Sequence, residues 1–208
     1  MNKREQQKIE RREKITQAAQ ELFLTRGIQQ VQLQDVADAV GIGIATLYRY
    51  FPNKEQLLIA VNNVIIEEML QSLTRISELP ISAYEQVEQI LDYYIGLVEH
   101  PAHQFVTFFK AFQNFTPDAS TGETYETYTR IRYEMAQTLL RVAKKGQQDG
   151  SVRTNIDLDV YMMTIVHNIS FFSTESVLTS HDPNLPVTLT ASAQLRMLKD
   201  IFLTYIHV

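Results

Sequence analysis

The chain has 208 residues, and among them are no cysteine, no tryptophan, only seven glycines and only six prolines. The missing cysteine excludes disulfides, a thiol nucleophile and cysteine-bound zinc, and it fits a cytoplasmic protein. The scarcity of glycine and proline leaves few breaks between secondary-structure elements. No apolar run approaches the length of a membrane span, and the polar residues 1–14 lack the apolar core of a signal peptide. We therefore expect a cytoplasmic protein.

The charge of the chain is unevenly distributed. Hydrophobic residues make up 45% and charged residues 21%, as in an ordinary globular protein, and the net charge is −5. Residues 1–54 have nine basic and six acidic side chains, whereas residues 55–208 have ten basic and eighteen acidic ones. A basic head on an acidic body fits a protein that presents only its head to phosphate, although solvation alone also explains such an asymmetry.

Apolar residues recur at intervals of three and four along most of the chain, a pattern that predicts helices. Asn53 and Ser82 are predicted N-caps, and Glu85 completes a capping box with Ser82. No segment has the pattern of a strand or a repeat. The sequence therefore predicts an all-α fold of about nine helices. The first ends at Gly27, and the others lie at 33–40, 44–50, from 54, from 82, at about 102–114, at 123–145 up to Gly146 or Gly150, and around 158–172 and 191–205.

The segment 33–51, LQDVADAVGIGIATLYRYF, predicts two short helices joined by a tight turn. Ala37 is small where two helices must approach closely. Gly41 lies where the chain reverses, a position that favours a left-handed backbone and hence glycine. This geometry is typical of a helix-turn-helix, which inserts its second helix into the major groove of DNA. The spacing alone also fits an ordinary helical hairpin.

The order of helices resembles the tetracycline-repressor (TetR) family of transcription regulators. The resemblance depends above all on residues 45–51, ATLYRYF, followed by Lys54 and Glu55. It implies a TetR-type DNA-binding domain at 9–69, with the helix-turn-helix at about 32–51, and a ligand-binding and dimerisation bundle at 70–208. It further implies a dimeric repressor that a small hydrophobic inducer releases from a palindromic operator.

Side chains near the second short helix are the candidate contacts to double-stranded DNA. Hydroxyl groups and the Lys54 ammonium suit phosphate oxygens, whereas Ile44 and Ala45 offer apolar contact to thymine methyls. Arg49 fits either a guanine edge or a phosphate. Leu47 is expected to face the core with Phe51. The candidate DNA-binding residues are Gln32, Gln34, Gly43, Ile44, Ala45, Thr46, Tyr48, Arg49, Tyr50 and Lys54.

Two positions depart from the family pattern. Val31 and Gln32 stand where a serine or threonine usually caps the first short helix, and Gly43 stands where serine often caps the second. Glycine is an acceptable N-cap, but it offers no hydroxyl to phosphate. The basic stretch Lys3–Lys14 either extends the first helix or reaches into a groove of DNA. Because glutamates interleave with its basic residues, we expect a frayed, solvated end.

The body contains many aromatic residues, each of which fits either a core or a pocket. The resemblance implies an inducer cavity among helices 5 to 8 and a homodimer interface formed by helices 8 and 9, with a loop at 181–185 between them. A hydrophobic guest, aromatic or acyl, suits such a lining, and tyrosine hydroxyls or His167 would orient it. The candidate ligand-binding residues are Phe105, Phe108, Phe109, Phe112, Tyr125, Tyr128, Met162, His167 and Phe171.

Two other classes of protein compete with a regulator. An all-α enzyme needs clustered nucleophiles, bases or metal ligands, and the carboxylates here are scattered along the predicted helices. An all-α adaptor would use the helix-turn-helix only for packing. His100 and His103 flank Pro101 and are therefore poorly placed to share a helical face. We expect no catalytic residues, no metal site and no cofactor.

Overall fold

The computed structural model describes residues 2–99, 103–113, 115, 117, 122–179 and 190–208, and within 103–107 and 170–179 only the backbone. These residues form nine α-helices and no strand, which confirms the predicted all-α class. The predicted loop at 181–185 lies outside the described residues. The helices are α1 (Lys3–Arg26), α2 (Leu33–Val40), α3 (Ile44–Tyr48), α4 (Lys54–Ser77), α5 (Ala83–Glu99), α6 (His103–Gln113), α7 (Glu123–Asp149), α8 (Leu158–Thr179) and α9 (Ala191–Ile206).

The chain divides into two compact units. The first comprises residues 1–67 and 107–131, and the second comprises residues 68–106 and 132–208. Residues 107–131 pack with the N-terminal helices, and one reason is that the buried Asn63 amide donates a 2.9 Å hydrogen bond to the Thr124 carbonyl. The predicted functional domains, 9–69 and 70–208, differ from these units and stay a prediction.

Helix α1 begins at Lys3, so the expectation of a frayed N-terminal end was wrong. The Asn2 side chain accepts a 2.8 Å hydrogen bond from the Arg4 amide, and the Asn2 amide donates a 2.9 Å bond to the Glu5 carboxylate. This capping box satisfies amides that a helix start otherwise leaves without partners. At its other end α1 stops where Gly27 takes a positive φ of 84°, as predicted.

The predicted caps of the next two long helices are confirmed. The Asn53 side chain accepts a 2.8 Å bond from the Gln56 amide at the start of α4. Before α5, the Ser82 hydroxyl accepts from the Glu85 amide at 3.2 Å, and the Ser82 amide donates to the Glu85 carboxylate at 2.8 Å. The Ser82 hydroxyl also donates a 2.7 Å bond to the Glu85 carboxylate, and this bond together with that from the Ser82 amide lowers the pKa of Glu85. Within the described part of the chain, α4 alone is long and apolar enough to cross a bilayer, but 67% of its apolar window is buried, as in a core helix.

The core of the second unit lies between α5, α7, α8 and α9. Tyr161 is anchored there because its hydroxyl donates a 2.7 Å hydrogen bond to the Phe202 carbonyl. Burial raises the pKa of Tyr94 well above its ordinary value, so this phenol stays neutral. The buried residues of this core include Leu73, Val87, Ile90, Leu91, Leu139, Val142, Val152, Met162, Ile165, Ile169, Leu203 and Ile206.

Helix α7 continues past both Lys145 and Gly146 and ends at Asp149, where Gly150 has a φ of 71°. The second of the two predicted end points is therefore correct. Gly146 has a different role inside the helix. A Cβ atom at this position would lie 2.7 Å from the Val152 Cγ2 atom and 3.2 Å from the Ala83 Cβ atom. Only glycine lets α7 approach these residues so closely.

Gly146→Ala should therefore lower the free energy of unfolding by about 1–2 kcal/mol, because the added methyl overpacks the contact with Val152. Gly96→Ala is the matched control, since Gly96 also lies within a helix but has no atom within 4 Å of an added Cβ. It should stabilise the protein by about 0.5–1 kcal/mol. Urea unfolding measures both. Equal changes in the free energy of unfolding for the two substitutions would contradict the packing role of Gly146. The same holds if Gly146→Ala costs as much stability in a Val152→Ala background as in the wild-type protein.

Candidate DNA-binding site

The turn between α2 and α3 has the geometry that the sequence predicts. Gly41 takes the left-handed conformation, with φ 72° and ψ 39°, and the Ile42 amide donates a 3.0 Å bond to the Ala37 carbonyl. Gly43 is extended and is the N-cap of α3, with no side chain to bond the helix start. Its carbonyl accepts a 2.8 Å bond from the Thr46 amide. The chain thus reverses tightly and presents α3 as a separate short helix.

Helix α3 buries one face and exposes the other. Leu47 and Phe51 are fully buried, which confirms their predicted role as core residues. Ala45, Tyr48 and Arg49 are exposed. The half-buried positions around them are Ile44, Thr46 and Tyr50. Since the helix ends at Tyr48 rather than at Tyr50, the Tyr50 side chain follows the helix instead of belonging to its last turn.

Several of the predicted DNA-contact residues form polar contacts with other side chains of the protein. The Arg49 Nη2 atom lies 3.5 Å from the Thr46 hydroxyl oxygen, and the Gln34 amide donates a 2.7 Å bond to Asp38. Gln32 is exposed at the start of α2. Its backbone amide donates a 2.6 Å bond to the Asp35 carboxylate. This bond caps the start of α2, where a serine or threonine side chain usually contributes to the cap.

Lys54 lies half-buried at the first position of α4. Burial lowers the pKa of its ammonium group, and the charge of Asp35 partly opposes this shift. The interaction with Asp35 links the start of α4 electrostatically to the first turn of α2. A lysine so placed adds positive charge beside the helix-turn-helix.

Sequence reasoning missed Arg12, which holds the end of α3 in place. Its Nη1 atom donates a 3.0 Å bond to the Tyr50 carbonyl, and its Nη2 atom donates a 3.1 Å bond to the Thr124 hydroxyl. The guanidinium carbon also lies 4.3 Å from the centroid of the Phe51 ring, a cation–π distance. Burial lowers the pKa of Arg12 and the charge of Glu123 opposes this. The partners lie 38 and 112 residues away in sequence, so no local pattern indicates them.

The candidate ligand-binding residues do not all lie in one unit. Phe108 and Phe112 are buried in the first unit with ring centroids 6.1 Å apart, and Tyr128 lies 6.1 Å from Phe112. Phe109 and Tyr125 extend this aromatic cluster. Met162 is instead a core residue of the second unit, and the side chains of Phe105 and Phe171 lie outside the described residues.

The expected role of His167 as a group inside a pocket is not supported. Ile165 and Ile169 occupy the buried face of α8. Because a residue two positions away on a helix is rotated by about 200°, His167 points to the opposite face and is exposed.

Helix α3 follows the tight Gly41 turn and has one buried and one exposed face. This arrangement is that of a helix-turn-helix DNA-binding protein. Residues 15–61 match the family model described as "Bacterial regulatory proteins, tetR family". Over 154 residues the chain is 25% identical to the HTH-type transcriptional repressor KstR2 of Mycolicibacterium smegmatis, covering 74% of this chain and 73% of that protein. The family match and the relatives support a transcriptional regulator of the TetR family, and these relatives are regulators rather than enzymes.

The fold is also that of solved regulators. The transcriptional regulator FadR from Bacillus subtilis, in complex with stearoyl-CoA, is similar with a TM-score of 0.70 at 18% identity, covering 93% of this chain and 98% of that one. AibR, in complex with isovaleryl coenzyme A and operator DNA, is similar with a TM-score of 0.62 at 20% identity, covering 92% and 97%. TetR regulators bind operator DNA and small ligands, and homodimers are typical of them.

Removing the Arg12 guanidinium should destabilise the first unit. Arg12→Gln should lower the free energy of unfolding by about 1.5–3 kcal/mol, because it removes charge-assisted bonds to the Tyr50 carbonyl and the Thr124 hydroxyl. Glu13→Gln is the control, since Glu13 is exposed on the same helix, and it should change the value by less than about 0.5 kcal/mol. Chemical denaturation followed by circular dichroism compares the two, and equal effects would refute the role given to Arg12.

Proposed function

We propose that this protein is a cytoplasmic, dimeric transcriptional repressor that a small hydrophobic inducer releases from a palindromic operator. In this proposal residues 9–69 bind DNA and residues 70–208 bind the inducer and the second copy. The orientation of α3 is the observation that carries the proposal. Leu47 on α3 and Phe51 shortly after it are completely buried, so the side of α3 left outside carries the residues that suit DNA.

The exposed side of α3 divides by chemistry into base and phosphate contacts. Ile44 and Ala45 lie at the start of the helix, where a recognition helix contacts base edges, and their methyl groups suit thymine. Arg49 is exposed and held only by a long contact to Thr46, so it is free to reach either a guanine edge or a phosphate. The proposed phosphate contacts are Thr46, Tyr48, Tyr50 and Lys54, flanked by Gln32, Gln34 and Gly43.

Helix α9 has an apolar face that supports the proposed dimer. Met197, Ile201 and Tyr205 follow one another at intervals of four residues, and each is more than half exposed. The polar edge of the same helix is already satisfied, because the Lys199 ammonium lies 3.1 Å from Glu88 and 2.6 Å from Asp92 on α5. An exposed apolar stripe of this kind favours a second copy, and two recognition helices need a separation of roughly 34 Å to meet successive half-sites.

An acyl or aromatic guest is the proposed inducer. Relatives of similar fold are described with stearoyl-CoA and with isovaleryl coenzyme A, both of which contain an acyl chain. The buried rings of Phe108 and Phe112, with Tyr128 beside them, offer an apolar and aromatic surface with a hydroxyl. A bound inducer would favour a dimer geometry in which the two recognition helices no longer fit both half-sites. DNA binding would then weaken by a coupling free energy of about 1–3 kcal/mol.

DNA selection tests this proposal. The purified protein should enrich a palindrome from random duplexes, and its affinity should fall as salt rises by about 0.9 logarithmic unit per logarithmic unit of salt for each phosphate contacted. On that palindrome, Tyr48→Ala should weaken all sequences about equally, whereas Arg49→Ala should relax the preference at one base pair, worth about 1–3 kcal/mol.

Tyr133→Ala is the control for these variants, because Tyr133 is an exposed tyrosine on α7. It should leave both affinity and sequence preference unchanged. Failure of the wild-type protein to bind any duplex at low salt would overturn the proposed function. An unchanged preference in the Arg49 variant would move this side chain to the phosphates.

The dimer makes a separate prediction. Ile201→Glu places a carboxylate in the proposed apolar interface in both copies, and burying each costs at least about 2 kcal/mol, so the dimer dissociation constant should rise roughly a thousandfold. Ile9→Glu is the matched control, since Ile9 is an exposed isoleucine on α1. Sedimentation equilibrium measures both variants. If Ile201→Glu changes the dimer dissociation constant no more than Ile9→Glu does, the interface lies elsewhere.

A further inference from the structure

The first turns of α1 form a helix that the core does not need. Every side chain from Lys3 to Arg11 is exposed, and the first fully buried residue of α1 is Ile15. At 1.5 Å per residue, the helix therefore begins about 18 Å before its first fully buried side chain. Most helical stability in proteins comes from packing of an apolar face, and this segment has none. Its order comes from the Asn2 cap and from continuity with the buried part of α1.

The helix separates charges that alternate along the sequence. With about 100° between successive residues, the four basic residues at positions 4, 8, 11 and 14 fall within an arc of about 120°. Glu5, Glu10 and Glu13 fall outside that arc. The interleaved glutamates, which in sequence argue for a frayed end, therefore leave this side of α1 with a net positive charge, and only Glu10 lies at its edge.

The basic side of α1 faces the helix-turn-helix across a cleft of about 540 Å³. One wall consists of the α2–α3 turn, with Gly41 and Ile42, and of Tyr50 just after α3. The other wall has four cations and the single carboxylate of Glu10, which gives it a net charge of +3. In the described part of the chain, none of the four cations forms an ion pair. The lining residues are Arg4, Gln7, Lys8, Glu10, Arg11, Lys14, Val40, Gly41, Ile42 and Tyr50.

We propose that this basic cleft binds phosphate groups of the DNA backbone that continues past α3, and so extends the DNA-binding surface by the first turns of α1. The inference rests on the proposed function, because it needs DNA on the exposed side of α3. Tyr50 supports the continuity, since it belongs both to the proposed phosphate contacts and to the wall of the cleft. Flexible lysine and arginine side chains without ion-pair partners are suited to phosphate, which fixes position without specifying sequence.

Two variants with equal charge change test the cleft. The cleft variant combines Lys8→Gln with Arg11→Gln, and the control variant combines Arg26→Gln with Lys144→Gln, at exposed positions outside the cleft. Glutamine has a helix propensity close to that of lysine and arginine, so α1 should stay helical. Fluorescence anisotropy measures the affinity for the selected palindrome and for an unrelated duplex of equal length, between 50 and 200 mM salt.

The cleft variant should have a salt slope smaller than that of the control variant by about 3.6, the value for two lost phosphate contacts in each protomer of the proposed dimer. Its affinity deficit should therefore shrink roughly 150-fold between 50 and 200 mM salt, by the same factor on both duplexes. The exchange variant, Lys8→Arg with Arg11→Lys, keeps both charges and should retain the wild-type slope.

Each alternative outcome counts against a different statement. If the wild-type protein binds DNA and the cleft variant has the same slope as the control variant, the cleft does not bind phosphate and the inference fails while the proposed function stands. A deficit confined to the palindrome would also overturn it, because phosphates are common to both duplexes. Absence of DNA binding by the wild-type protein would remove the proposed function itself.

Discussion

Helix α3 has only five residues, too few to be stable by itself, so its place on the surface depends on the burial of Leu47 and Phe51. Both side chains are completely enclosed, and this fixes the rotation of α3 about its own axis. Arg12 strengthens the arrangement from outside, because its guanidinium covers the Phe51 ring and binds the Tyr50 carbonyl. The residues that face DNA in our proposal are those that this constraint leaves outside.

The charge distribution explains how a protein with a net charge of −5 can match a family of DNA-binding regulators. Positive charge is collected on the first 54 residues, and α1 concentrates it further by turning its basic residues to one side. Long-range repulsion by the acidic body is screened within about 8–10 Å at physiological salt, so the local charge beside the helix-turn-helix decides the interaction with phosphate. The N-cap at Asn2 contributes by keeping this side of α1 helical.

Helix α9 combines three different faces within sixteen residues. Leu195, Leu203 and Ile206 are buried in the second unit, and Lys199 forms ion pairs with α5. The third face, which includes Ile201, is apolar and exposed. Among the described residues, the polar edge of α9 is satisfied within its own unit and this apolar edge is exposed, which makes it the surface that the proposed dimer would bury.

The sequence by itself determined the all-α class, the caps at Asn53 and Ser82 and the Gly41 turn, because helix periodicity, capping and positive φ are local properties. It also indicated the inward face of α3 correctly. The exposure of His167 follows from its helical spacing to the buried Ile165 and Ile169, a pattern that is present in the sequence. Only the tertiary structure decided the role of Arg12 and the place of residues 107–131 in the first unit. Both depend on contacts between residues far apart in the chain, and such contacts are not encoded in a local pattern.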